Sequence, residues 1–433
     1  MNPKRIGRLA VLGLAVALAM PAVAFSANEV TKWNEIAVNT VNAQPPIASA
    51  PSAGSIFVAM VQGAVYGAVN AVDRHGRPYL VNRSYPKASA EAAAATAAFR
   101  VLDTLFPAQH ATLQAAYDAS LAGVSNGARK AAGIEVGTMA ADAMLAEGHD
   151  GRVLISCTFG TFVPGVWQPL AGSTGDPACD PSPWVKDAVP FLVESGTQFR
   201  TPGPYALTSA AYVADFNEVK AIGSLNSSTR TAAQSHIAAF WNTNPAANYN
   251  AIARRFADLY SLDLSDSARL FAMLDLTSAD ALITTWADKY HYSFWRPRAA
   301  IRQADTDGNL ATAADPNWEP MFHPTLAPAI GGVGPALITP PYPDHPSGAT
   351  SYASASMNAL AAFFGTDELP FFATSSRFPG EQRAFTRFSD VTNEVLEARI
   401  YAGIHFRNPD VQSADLGREI VRYAHKHWFA AAH

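Results

Sequence analysis

A chain of 433 residues that is 49% apolar and only 15% charged can bury a large core, which excludes an intrinsically disordered protein. Its formal net charge is −5, and no run of Lys or Arg offers nucleic acid a footing. Two cysteines are too few for a thiolate metal cluster, leaving either one disulfide or two isolated thiols.

The chain opens with an export signal. Lys4, Arg5 and Arg8 precede the apolar stretch 9–20, and Ala22-Val23-Ala24 supplies small residues for cleavage, so residues 1–24 read as a signal peptide. The run falls short of the ~20 residues that span a bilayer, and no stable membrane anchor is expected. Residues 25–433 are expected to form one exported domain, periplasmic or secreted. In an oxidising compartment Cys157 and Cys179 can pair, closing a loop of about twenty residues worth roughly 3 kcal/mol by chain entropy.

Residues 28–54 look poorly periodic and are expected to wrap the surface as an arm. Alanine-rich apolar patterns predict helices over 56–72 and 89–106, with two more over 108–121 and 127–145 bounded by Pro, Gly or Asn. Gly, Pro and Trp then accumulate, so 148–204 reads as a long ordered loop of the kind usually retained for function. Helices resume over 206–220, 230–241, 249–262 and 267–290. A Pro/Gly-rich stretch from 305 to 346 interrupts them, and helices over 347–364, 385–402 and 414–424 close the chain. Strand alternation is scarce, and the pattern predicts an all-α protein built as a large helical bundle.

Three segments within 285–425 carry candidate chemistry. In Lys289-Tyr290-His291-Tyr292-Ser293-Phe294-Trp295-Arg296-Pro297, the two cations are seven apart and share a face if the helix is continuous, with a break expected just past Arg296. Like charges so placed repel unless they share an anion, and a solvated basic helix end is the alternative. In Pro343-Asp344-His345-Pro346-Ser347-Gly348-Ala349-Thr350, a proline turn enters a helix whose free N–H groups suit a phosphate-like anion. In Arg399-Ile400-Tyr401-Ala402-Gly403-Ile404-His405, a break near Gly403 would bring His405 back towards Arg399.

Taken together, Lys-x6-Arg-Pro, Pro-Ser-Gly and Arg-x3-Gly-x-His, in that order, resemble the signature of vanadium-dependent haloperoxidases and the type 2 phosphatidic acid phosphatase superfamily. Trp295-Arg296-Pro297, Gly403-Ile404-His405-Phe406-Arg407, Gln198-Phe199-Arg200 and Phe216-Asn217-Glu218-Val219-Lys220 are more like the bacterial chloroperoxidase-related branch. The resemblance implies vanadate as cofactor, with phosphate able to take the same site. Lys289, Arg296 and Arg399 would hold its oxygens, joined by the Ser347 hydroxyl and the Gly348 N–H. His405 would ligate vanadium. The implied partners are hydrogen peroxide, halide and an organic acceptor; the oligomeric state is not implied.

The chain departs from that pattern at one chemical position. The family writes Pro-Ser-Gly-His, and here the acid/base histidine is Ala349. General acid catalysis is worth about 10²–10⁴-fold, so this loss affects turnover more than anion binding. Iodide or bromide, the easier halides to oxidise, are therefore expected over chloride. An acid phosphatase on the same pocket and a catalytically weak oxyanion-binding protein are the alternatives. The family's Asp four residues beyond the ligand His is Pro409 here, which leaves the support of His405 open between Asn408 and Asp410.

Overall fold

The computed structural model describes residues 28–152, 163–169, 179–323 and 331–429. The signal segment 1–24 and Cys157 lie outside the described residues. Helices dominate: α1 (Glu29–Asn42), α2 (Pro51–Asp73), α3 (Ala90–Leu105), α4 (His110–Ala122), α5 (Ala128–Ala146), α6 (Ala210–Ile222), α7 (Ala232–Phe240), α8 (Pro245–Leu259), α9 (Leu264–Tyr292), α10 (Pro297–Arg302), α11 (Gly348–Phe364), α12 (Phe388–Tyr401) and α13 (Arg407–Ala424). The one sheet among the described residues is an antiparallel hairpin of β1 (Glu368–Thr374) and β2 (Gln382–Arg387).

Two expectations are corrected. The supposed arm contains α1, capped by the Asn28 side chain, which accepts from the Val30 and Thr31 N–H groups. Val30, Trp33, Ala37, Val38 and Val41 recur at helical spacing and are all buried, a periodicity masked in the sequence by interleaved polar residues. The hairpin was also unexpected. Phe371 and Phe385 face each other across it and stack 5.7 Å apart, with Phe256 and Phe388 beneath, so tertiary packing holds strands that alternation alone does not announce.

The centre of the molecule is α2 against α9. Every residue of α2 from Ser52 to Val72 is buried. That helix is long and apolar enough to cross a membrane, but its whole length is covered by protein. Helix α9 also carries carboxylates into the interior, and these fasten the segment before α6. Asp280 accepts the N–H groups of Phe191, Leu192 and Val193 at 2.7, 2.8 and 3.1 Å, and Asp288 accepts from Thr201 N and Arg200 Nε at 2.8 and 3.0 Å. In the opposite direction, Trp286 and Tyr290 of α9 donate to Asp180. The described parts of 148–204 are thus a strap tied to one helix, and Cys179 within it is disulfide-bonded.

A candidate oxyanion site at the helix ends

The three motifs meet where helices begin and end. Lys289 lies in the last turn of α9, Arg296 is the residue before α10, Ser347 the residue before α11, and Arg399 lies in the last turn of α12. His405 stands two residues before α13. The helix does not run on from Lys289 to Arg296, as a shared face would have required. It ends at Tyr292, Ser293 turns left-handed with φ 46°, and Arg296 is extended with φ −88° and ψ 160°. The two cations converge through a chain reversal instead of a shared face. The break at Gly403 is present, with φ 74°, and a Cβ there would lie 2.2 Å from the Gly223 carbonyl oxygen. Only glycine lets the chain turn there so that His405 faces the cations.

Each cation is out of water. Lys289, Arg296, Arg399 and His405 are 0%, 2%, 6% and 2% exposed, so Lys289 is no solvated helix end. The Lys289 ammonium donates to the carbonyls of Pro343 and Asp344 at 2.8 and 2.9 Å and also to that of Pro346. Arg296 donates to the carbonyls of Tyr342 and Ile404 at 2.8 and 2.7 Å. Both lie against the Tyr342 ring, 5.2 and 5.1 Å from its centre. The Arg399 guanidinium lies 5.5 Å from the Phe322 ring, and its Nε is buried without a hydrogen-bond acceptor.

The two ring nitrogens of His405 face opposite kinds of group, and only Nε2 makes a hydrogen bond. Its Nε2 is 3.4 Å from an Arg296 N–H donor, and its Nδ1 contacts the fully buried Asp344 carboxylate. Asp344 is also 3.8 Å from Arg296. A second buried carboxylate, Asp410, accepts from the hydroxyls of Thr350 and Ser347, and the Ser347 N–H donates to Ser413 Oγ at 2.7 Å. Arg407, two residues past His405, is clamped by Glu218 of α6 and Glu397 of α12 at 2.7 Å each, which fixes the start of α13. Proline at position 409 is compatible with this helix because its first-turn N–H groups lack intrahelical partners anyway.

Burial sets the electrostatics. Desolvation, then repulsion from Arg296, drives the Lys289 ammonium well below its usual range. The His405 imidazole is lowered by the same burial and by Arg296, Lys289 and Arg399. Arg296 and Arg399 are lowered chiefly by desolvation. Burial raises Asp344 to about 8 and Asp410 to about 7 against the pull of the cations. Such a cluster is strained while its cations face one another, and an anion placed among them relieves both repulsion and desolvation.

Beside the cluster is a cavity of about 120 Å³, lined by Gly348, Ala349, Arg399, Tyr342, Trp286, Tyr249 and neighbours. Gly348 is required there, since a Cβ would sit 2.9 Å from the Trp286 ring. His345 does not line this cavity. It is buried elsewhere, with Nε2 3.1 Å from Thr201 Oγ1, and desolvation lowers it to about 3. His291 is exposed, and Trp295 is a fully buried core residue. Sequence reasoning passed over Asp344, Tyr342 and Trp286. An acidic residue inside a proline turn before the anion helix was the one available signal for the first; the two aromatics carry none.

Residues 269–432 match the family described as VCPO second helical-bundle domain. Vanadium chloroperoxidase of Curvularia inaequalis is 28% identical over 156 residues, which is 32% of this chain and 24% of the relative. The chain thus spans about a quarter of that relative's length. Among solved structures, the first bacterial vanadium-dependent iodoperoxidase superposes with a TM-score of 0.72 at 21% identity, covering 93% of this chain and 98% of that one. A bacterial vanadium-dependent chloroperoxidase in its holo form gives 0.66 at 18% identity, with the same coverage. Family match and architecture agree on this much: residues 269–432 form a domain of the VCPO second helical-bundle family, and the chain has the all-α fold of the bacterial vanadium-dependent haloperoxidases.

Proposed function

We propose that this protein is an exported enzyme that oxidises halide with hydrogen peroxide in a vanadate-dependent reaction, iodide or bromide being favoured over chloride. One observation carries the reading: three buried cations converge on His405 beside a helix N-terminus and a cavity that Arg399 lines. Vanadate fits these residues. The Arg399 Nε lacks an acceptor, Gly348 and Arg399 line the same cavity, and the donor set is cationic. A bare divalent cation is less suited, because no group of three His, Cys, Asp or Glu comes together among the described residues.

When bound, vanadate would supply Lewis-acid activation of peroxide towards halide attack. Arg399, the Gly348 N–H and the Ser347 hydroxyl would hold its oxygens, with Arg296 beside them. Lys289, whose three donors already meet carbonyls, would act mainly through its charge. His405 would bind vanadium through Nε2, the nitrogen that faces Arg296. Ala349 leaves the cavity wall without a proton donor at the family's acid position, which supports the easier halides and slow turnover. The disulfide at Cys179 supports an oxidising compartment.

The test is an assay of purified protein for iodide, bromide and chloride oxidation with peroxide, and for phosphomonoester hydrolysis, each with and without vanadate. Vanadate-dependent iodide or bromide oxidation is the expected result. Hydrolysis that vanadate inhibits would move the assignment to a phosphatase, and tight vanadate or phosphate binding with neither activity to a binding protein.

A further inference from the structure

The carboxylate that normally supports the ligand histidine is missing from its expected place, four residues on, where this chain has Pro409. Asn408 and Asp410 flank that position, and neither takes its role. The Asn408 side chain donates to the Gly203 carbonyl at 3.3 Å, and Asp410 is engaged by the Thr350 and Ser347 hydroxyls. The Nδ1 of His405 meets Asp344 instead, a residue of another motif sixty-one positions earlier in the chain (405 less 344).

We infer that Asp344 is the positioning residue of His405, fixing the tautomer with the proton on Nδ1 and leaving Nε2 free to ligate. The inference rests on the haloperoxidase reading of the site and deepens it. Three observations carry it. Asp344 is 0% exposed and His405 is 2% exposed, so the contact is shielded from competing water. The Nε2 of His405 faces an N–H of Arg296, a group that only donates, so that nitrogen is the acceptor and the ring proton belongs on the side of Asp344. Asp344 is itself held, its N–H donating to the Phe294 carbonyl at 2.9 Å and its own carbonyl accepting from Lys289. A metal-ligating histidine needs such a partner on its other nitrogen, and loss of one typically costs 10–100-fold in affinity. The proline turn that starts the anion helix therefore has a second task, that of orienting a ring delivered by another segment.

The experiment has an arm that needs no vanadate. In the apoprotein labelled with ¹⁵N-histidine, long-range ¹H–¹⁵N correlation reads the tautomer of each imidazole, and His405→Gln assigns the signal. The expected wild-type pattern is a protonated Nδ1 and a bare Nε2 for His405, giving way to a mixture in Asp344→Asn. The reverse tautomer in the wild type overturns the inference whatever the protein catalyses. The second arm titrates inorganic vanadate and inorganic phosphate by calorimetry. Asp344→Asn should weaken vanadate about 10–100-fold while phosphate, held by the cations, changes less than about 3-fold. Asp344→Glu should recover part of the vanadate loss. Equal losses for both anions would make Asp344 a structural support of the cations and sink the proposal. A wild-type protein that binds no vanadate yet shows the expected tautomer would reject the haloperoxidase reading and leave the Asp344–His405 pair standing.

Discussion

Placing a proton donor at position 349 is the sharpest probe of the candidate site. Ala349 and Arg399 line one cavity of about 120 Å³. In Ala349→His the new side chain would reach the space occupied by a bound oxyanion, while Lys289, Arg296, Arg399 and His405 keep their partners. General acid catalysis contributes 10²–10⁴-fold, or about 2.7–5.4 kcal/mol of barrier at 1.36 kcal/mol per decade. Turnover of iodide, followed as triiodide absorbance with saturating vanadate and peroxide, should rise by two to four decades, with vanadate affinity changing less than about 3-fold. Free imidazole added to the wild type should give a weaker, saturable acceleration. A flat response in the variant, with the wild type already turning over quickly, would refute the reasoning and show that another group delivers the proton. His345 is an unpromising candidate, being lodged against Thr201 and lowered to about 3, whereas Tyr249 lines the cavity.

Three further predictions follow from the structure. His405→Ala should abolish vanadate retention on a desalting column while leaving phosphate binding measurable; retained vanadate would mean that the ring is not the ligand. Gly403→Ala places a Cβ 2.2 Å from the Gly223 carbonyl oxygen at φ 74°, and should lower stability by about 2–4 kcal/mol in chemical denaturation. A loss under 0.5 kcal/mol would show that the turn yields easily. Asp275 of α9 accepts from Asn250 at 2.8 Å but is buried, with Oδ2 unpaired, and desolvation raises it to about 7. A raised carboxyl favours the protonated folded state, so stability should fall as pH climbs from the unfolded value near 4 through 7. Asp275→Asn removes that loss, and its melting temperature should gain on the wild type between pH 5 and 8, by at most about 4 kcal/mol in stability. An unchanged gap across that range would place the proton elsewhere.

The sequence made the helices legible where alanine and leucine patterns repeat, and it made the site legible through residue types that chemistry rarely assembles by chance. Arg296 and His405 come within 3.4 Å, Gly348 and Arg399 line one cavity, and Lys289 and Ser347 stand at the ends of α9 and α11. The path to that arrangement was less legible. Ser293 ends α9 with a left-handed turn that nothing in Tyr-Ser-Phe announces, so the Lys289–Arg296 geometry depends on tertiary contacts such as the Trp295 N–H to the Gly165 carbonyl. Helix α1 went unseen because Asn34, a polar residue on its buried face, finds its partners far along the chain in Asn250 and Arg254. Asp344 was hidden for the same reason: its meaning appears only when His405 arrives from another segment.

The anchoring of the strap to α9 has a consequence for how this protein tolerates change. Asp280 grips main-chain N–H groups at three successive positions, and Asp288 grips another at Thr201. Any residue but proline presents the same N–H, so along 191–193 the side chains are free of this bond while Asp280 is not. What the strap must keep is spacing: an inserted or deleted residue between the two grips puts its amides out of phase with a rigid helix. Substitutions at 191–193 leave this bond intact but must still fill the core in which Phe191, Leu192 and Val193 are buried, whereas loop grafts that change length between residues 193 and 201 are expected to loosen the strap from the helix that carries Lys289.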